Sequence, residues 1–222
     1  MNFNTLLIFT LSLFLFVACK ENSSQNTDDN NNVKSGEVKI GTQTWMKKNL
    51  DVEHYRNGDP IPNITIDYLW LTATEGAWCY YQNQTANGVV YGKLYNWYAV
   101  NDPRGLAPEG WHIPSSTEWD VMVKYLGGNS VAGGKLKESG TTHWLSPNYS
   151  GNNQSGFTAL GSGWATICDG PFADLGKSEY YWLSNSSKTS YAYYVQLNYL
   201  REDLVFESYP KVAGMSVRCI KD

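Results

Sequence analysis

Short alternating runs open the ordered part of the chain. Val38 and Ile40 alternate with polar residues, Gly41-Thr42-Gln43 has turn chemistry, and Thr44-Trp45-Met46 resumes the alternation, so a pair of strands is predicted. The period then changes. In "YGKLYNWYAVND", Leu94, Trp97 and Tyr98 fall at i, i+3 and i+4, an apolar helical stripe that ends before Pro103. Trp119, Met122, Val123 and Leu126 repeat that spacing and predict a second amphipathic helix. Its start reads as a capping box, with Ser115 as N-cap and Glu118 reaching back from N3, and Gly127-Gly128 supplies the exit. From "GGNSVAGG" to "PNYSGNNQSG" the chain is rich in Gly, Ser and Asn, which predicts long loops and no further helix. Four β-rich runs follow, at 180–184, 191–198, 204–208 and 215–220, and predict a terminal antiparallel meander. Tyr191, Tyr193, Val195 and Leu197 share one face of the second run, and that face is assigned to the core.

The start of the chain has a different pattern. An apolar run from Leu6 to Val17 is too short to span a bilayer but has the length of a secretory h-region. It stops at Ala18-Cys19, which resembles the lipobox of bacterial lipoproteins. That resemblance implies a signal peptide over 1–18, cleavage before Cys19, and a lipid on its thiol that anchors the protein to a membrane. Residues 19–36 are almost all polar and cannot bury enough surface to offset their ordering entropy, so they are expected to be a disordered tether. Lys20-Glu21 behind the cysteine is similar to the charged tags that send some Bacteroidetes lipoproteins to the cell exterior. The expected location is the outer membrane, at the cell surface, with the periplasmic face as the alternative.

Composition narrows the function classes. A chain of 222 residues with 42% apolar content suits one domain plus appendages, here residues 37–222. A net charge of −4, with 17 Lys and Arg scattered along the chain, argues against a nucleic-acid partner. His112 stands between two tryptophans, but no second ligand lies at a metal spacing from it, and His54 and His143 are isolated in the sequence. Neither G-x-S-x-G nor H-E-x-x-H occurs, and the adjacent Glu202-Asp203 point to opposite sides of an extended chain. Asp169 and Asp174 in "CDGPFADLG" are the calcium candidates, the latter part of a loop otherwise expected to be hydrated; no other cofactor is implied.

The ordered segments "WMKKNL", "WCYYQN", "YGKLYNWYAV", "LAPEGWHIPSSTEW", "AGGKLKESG", "SGFTALGSGW", "YYWLSNSS" and "SVRCIKD" resemble the Fibrobacter succinogenes major paralogous domain family over nearly all of 37–222. That family is similar in turn to the C-type-lectin-like fold of formylglycine-generating sulfatase-modifying factors. The resemblance implies an α+β domain with two short helices on a twisted antiparallel sheet and long loops above it. It also implies a Cys79–Cys219 disulfide with Cys168 left over; buried thiols acting as small apolar residues are the alternative. No cysteine occurs from Tyr194 to Met215, so the copper-binding pair of the distant oxidases has no counterpart, and the lectin calcium motifs E-P-N and Q-P-D are missing too. The expectation is therefore a tethered, non-catalytic module that binds a glycan or protein through the aromatic side chains of Trp144, Tyr149, Trp164 and Phe172. A hydrolase with an unrecognised site is the alternative.

Overall fold

The predicted first strand pair forms a hairpin. β1 (Glu37–Ile40) and β2 (Gln43–Met46) pair antiparallel with Ile40 opposite Gln43, and Gly41 takes a φ of 61° in the turn. The computed structural model describes residues 36–165 and 171–222. After the hairpin come α1 (Asp67–Leu71), β3 (Trp78–Cys79), a 3-10 turn at Tyr81–Asn83, α2 (Thr85–Tyr91) and β4 (Leu94–Tyr95). Then follow α3 (Trp97–Val100), β5 (Trp111–His112), α4 (Ser116–Tyr125), α5 (Asn129–Leu136), β6 (Ser178–Lys188), β7 (Tyr191–Asn198), β8 (Val205–Pro210) and β9 (Ile220–Lys221). The class is α+β. Among the described residues, three antiparallel sheets have the strand orders β1-β2-β9-β5, β3-β4 and β6-β7-β8. The first sheet joins the two ends of the domain, since Trp45 of β2 lies opposite Ile220 of β9.

The described residues hold five α-helices, not two. The apolar stripe at 94–98 is shared by two elements: Leu94 belongs to β4, and only Trp97–Val100 is helical, with the Asn96 side chain accepting from the Ala99 amide as N-cap. The stretch after α4, expected to be loop, contains α5. Its adjacent glycines serve close approach, because a Cβ on Gly133 would lie 2.7 Å from the Glu202 carbonyl oxygen and one on Gly134 2.7 Å from that of Ser150. Beyond the helix, the fully buried Lys137 ammonium donates to the carbonyls of Tyr149, Asn198 and Arg201 and so pins the loops to the end of β7.

The helix α4 is built as its sequence predicts. Ser115 Oγ accepts from the Glu118 amide, Glu118 Oε2 accepts from the Ser115 amide at 2.8 Å, and Trp119, Met122 and Val123 face the core. Ser115→Ala is expected to lower stability by about 1 kcal/mol, because it removes one cap while the helix stays packed. A chemical-denaturation midpoint measures this; ligand binding well below the transition should be unchanged.

The β6-β7-β8 sheet is covered on both faces. Tyr180, Trp182, Ala192 and Tyr194 belong to one cluster, and Tyr181, Leu183, Val195 and Leu197 to another with α4. The one-sided assignment of β7 is therefore corrected. Tyr191 and Tyr193 are 41% and 38% exposed, because the cluster around α4 reaches Val195 and Leu197 but stops short of them. The fourth terminal run also leaves the meander. Met215 bridges to Tyr95, Ser216 lies parallel beside Tyr181, and β9 inserts between β2 and β5.

No disulfide joins Cys79 to Cys219, which corrects that expectation. In the two-residue β3, successive side chains point to opposite faces. Trp78 packs in the cluster that holds Cys219, while Cys79 turns the other way, toward Trp70, Ala77 and Leu94. Burial pushes the Cys219 thiol up to about 12, so it stays protonated. Cys19, Cys168 and Asp169 lie outside the described residues.

Candidate functional site

The four aromatic candidates do not converge. Trp144 is 2% exposed, belongs to the α4 cluster and donates from Nε1 to the Ala159 carbonyl, so it is a core residue and its assignment to ligand contact is corrected. Trp164 is half-buried and stacks on Tyr180 at 5.0 Å, with Tyr209 edge-on at 4.7 Å. Phe172 packs against Tyr81 in a third cluster. Tyr149 stands exposed on its loop. Asp174 accepts from the Tyr180 hydroxyl at 2.8 Å, and the described residues contain no group of three or more His, Cys, Asp or Glu placed to hold a metal.

His112 has structural work. Its Nδ1 faces Asp222 at 2.7 Å and its Nε2 faces Glu118 at 2.6 Å, which ties β5 to the chain end and to the α4 cap. Burial lowers its pKa, but the bonds to Glu118 and Asp222 outweigh that and raise it overall.

Among the described residues a cleft of about 390 Å³ has the size of a small-ligand site. One wall is the end of α2, with Val89, Val90 and Gly92. The opposite wall is loop, with Glu138, His143, Thr158 and Leu160. Lys47, Lys48 and Asp51 form its rim, and Asn49 and Arg218 its floor. Gly92 closes the helical wall at a φ of 76°; a Cβ there would lie 3.0 Å from the Leu50 carbonyl oxygen.

The floor is rigid because its polar groups satisfy one another. The Arg218 guanidinium, in a residue 1% exposed, donates to the carbonyls of Met46 and Phe157, to the Tyr181 hydroxyl at 3.1 Å, and twice to Asn49 Oδ1, at 3.1 and 2.6 Å. Asn49 Nδ2 in turn reaches the Tyr91 carbonyl, Ser216 Oγ and Glu179 Oε1. The fully buried Glu179 also accepts from the Ser162 amide at 2.8 Å. Burial pushes its carboxyl up to about 7, against the pull of Ser162, Ser216 and Arg218. The ion pairs of the described residues give Arg218 no carboxylate partner, so its charge is solvated by neutral dipoles and persists beneath the floor.

Of the carboxylates on the cleft walls, Asp51 is ion-paired with the buried Lys93, itself held over the rings of Trp78 and Tyr80 at 4.5 and 4.8 Å. Glu138 is held by His143 Nδ1 at 2.9 Å, and the His143 ring meets Tyr91 edge-on at 5.8 Å. The cleft's hydroxyl, that of Thr158, is engaged with Gly156 and Asn153, not with His143.

Sequence reading missed this site. The cleft gathers residues from 47–51, 88–92, 138–143, 158–160 and 218; several of these lie in the segments that carry the family resemblance, but none carries a catalytic or metal-binding motif. One signal was present: Glu179 in "SEYYWL" and Arg218 in "SVRCI" are charges inside apolar runs, where a charge is tolerated only if it is bonded.

Residues 38–221 match the model of the Fibrobacter succinogenes major domain. No curated protein and no solved structure matches the chain.

Proposed function

We propose, from the premise that the chain belongs to the Fibrobacter succinogenes major domain family, that it is an exported, lipid-anchored, non-catalytic module that binds a glycan in the Asn49–Arg218 cleft. The observation that carries the reading is the floor itself. A buried network with its hydrogen bonds made holds the cleft open at fixed shape, which suits binding with little reorganisation. The walls offer what a sugar presents: Val89, Val90 and Leu160 for C–H faces, and Thr158, His143 and Glu138 for hydroxyls. Binding is favoured over nucleophilic catalysis because the Thr158 hydroxyl is not held by the cleft's histidine. The C-type-lectin-like architecture is supported by the shared sheet of the first and last strands.

A glycan panel probed with the full chain in detergent, alongside a screen of generic hydrolase substrates, tests the reading. Binding is expected in wild type and lost in Val90→Trp, which fills the cleft; turnover without binding would sink it. The lipid anchor rests on the sequence, where Ala18-Cys19 closes the apolar run from Leu6 to Val17. Labelling with a fatty-acid analogue is expected to mark the wild type and not Cys19→Ser, and a mark persisting in the variant would refute the anchor.

A further inference from the structure

We infer that the cleft selects anionic saccharides, those carrying a carboxylate or sulfate, through Lys47 and Lys48; this rests on the glycan reading above. The argument is a balance of charge over the lining. Asp51 is ion-paired with Lys93, which Glu53 shares, and Glu138 is hydrogen-bonded to His143. Lys47 and Lys48 are exposed at the rim and enter none of the ion pairs found among the described residues. Beneath them, Arg218 spends its donors on oxygen atoms of neutral groups, so its positive charge is left uncancelled by direct contact.

The cations of the lining that have no carboxylate partner among the described residues are thus two ammonium groups above a buried guanidinium. Glu179 offsets this only in part, since its carboxyl titrates near 7 and reaches Arg218 through the Asn49 amide, not directly. Field from such a cluster is focused by the low-dielectric walls of a cleft. A neutral sugar would leave both lysines solvated and gain nothing from them. A carboxylate or sulfate on the ring would accept charge-assisted hydrogen bonds at the rim while Val89 and Val90 cover the apolar edge of the same ring.

Calorimetric titration of the full chain in detergent with three probes tests this: a galacturonate tetramer, a sulfated galactan tetramer and a neutral galactan tetramer. At least one anionic probe is expected to bind about tenfold or more tighter than the neutral one. Lys47→Gln combined with Lys48→Gln should erase that advantage, as should raising salt from about 20 to about 500 mM. Both lysines are exposed, so the double variant keeps its fold, which circular dichroism checks. The two anionic arms decide whether carboxylate or sulfate is preferred. Equal affinity for all three probes, or an anionic preference that survives the double variant, overturns the inference. In either case loss of binding in Val90→Trp would leave the cleft reading intact. Absence of binding by every saccharide takes down both.

Discussion

Asn49→Leu is expected to destabilise the domain by about 4 kcal/mol, a large fraction of the stability of a domain this size. Leucine keeps asparagine's branched outline but is bulkier, so some overpacking adds to a loss that is mainly one of bonding. Asn49 Oδ1 accepts from Arg218 Nε and Nη2 and from the Tyr181 hydroxyl, and its Nδ2 serves Tyr91, Glu179 and Ser216. Removing that hub leaves a guanidinium that is 1% exposed with two unmet donors, and leaves Glu179 with one partner fewer. The Phe157 ring, 4.4 Å from the guanidinium, compensates only weakly. The change is read as a drop in the urea midpoint at unchanged slope. A loss under about 1 kcal/mol would mean that water reaches the network and solvates it.

Stability should also fall as pH rises from about 5 to about 8, with Glu179 as the main cause. Its carboxyl titrates near 7 in the folded protein, because burial outweighs the bonds from Ser162 and Ser216 and the pull of Arg218, against a reference of 4.5. Between those values the folded state holds a proton that the unfolded chain has released. The contribution is therefore fully present below the unfolded value and is lost as pH rises through the folded one. A shift of this size corresponds to about 3 kcal/mol. His112, also raised, adds to the same slope, but its side chain is 40% exposed and solvent screening makes its share small. The lowered groups Asp102, Glu118 and Asp203 act with the opposite sign in the acid range, outside this window, and Lys137, which burial lowers to about 8, acts with the opposite sign from its upper edge. Glu179→Gln keeps the shape and removes the titration, so its denaturation midpoints at pH 5 and pH 8 should differ far less than those of wild type. An unchanged slope in the variant would assign the effect to other groups.

Local order was written in the sequence wherever the deciding interactions are close along the chain. The α4 cap is legible because Ser115 and Glu118 bond to each other's backbone within one turn, and the helix face because Trp119, Met122 and Val123 recur at its period. The β1–β2 hairpin is legible for the same reason, its register set by a short turn. The family and the α+β class follow from many such local segments taken in order.

What tertiary structure alone decided is which segments meet. A period of two shows that β7 has two faces but not that both are covered, nor where the α4 cluster ends, so Tyr193 was misplaced and Val195 was not. The glycines of α5 read as loop because their use is close contact with Glu202 and Ser150, which lie far off in the chain. The aromatic ring of Trp144 reads equally well as ligand platform or core until its neighbours are known. His112 waits for Asp222, 110 residues away, and Arg218 for Asn49, 169 residues away. Periodicity and capping report the surroundings within a turn or a strand. The cost of burying a charge is offset only by partners that the fold brings together, and so the cleft and its charge belong to the fold.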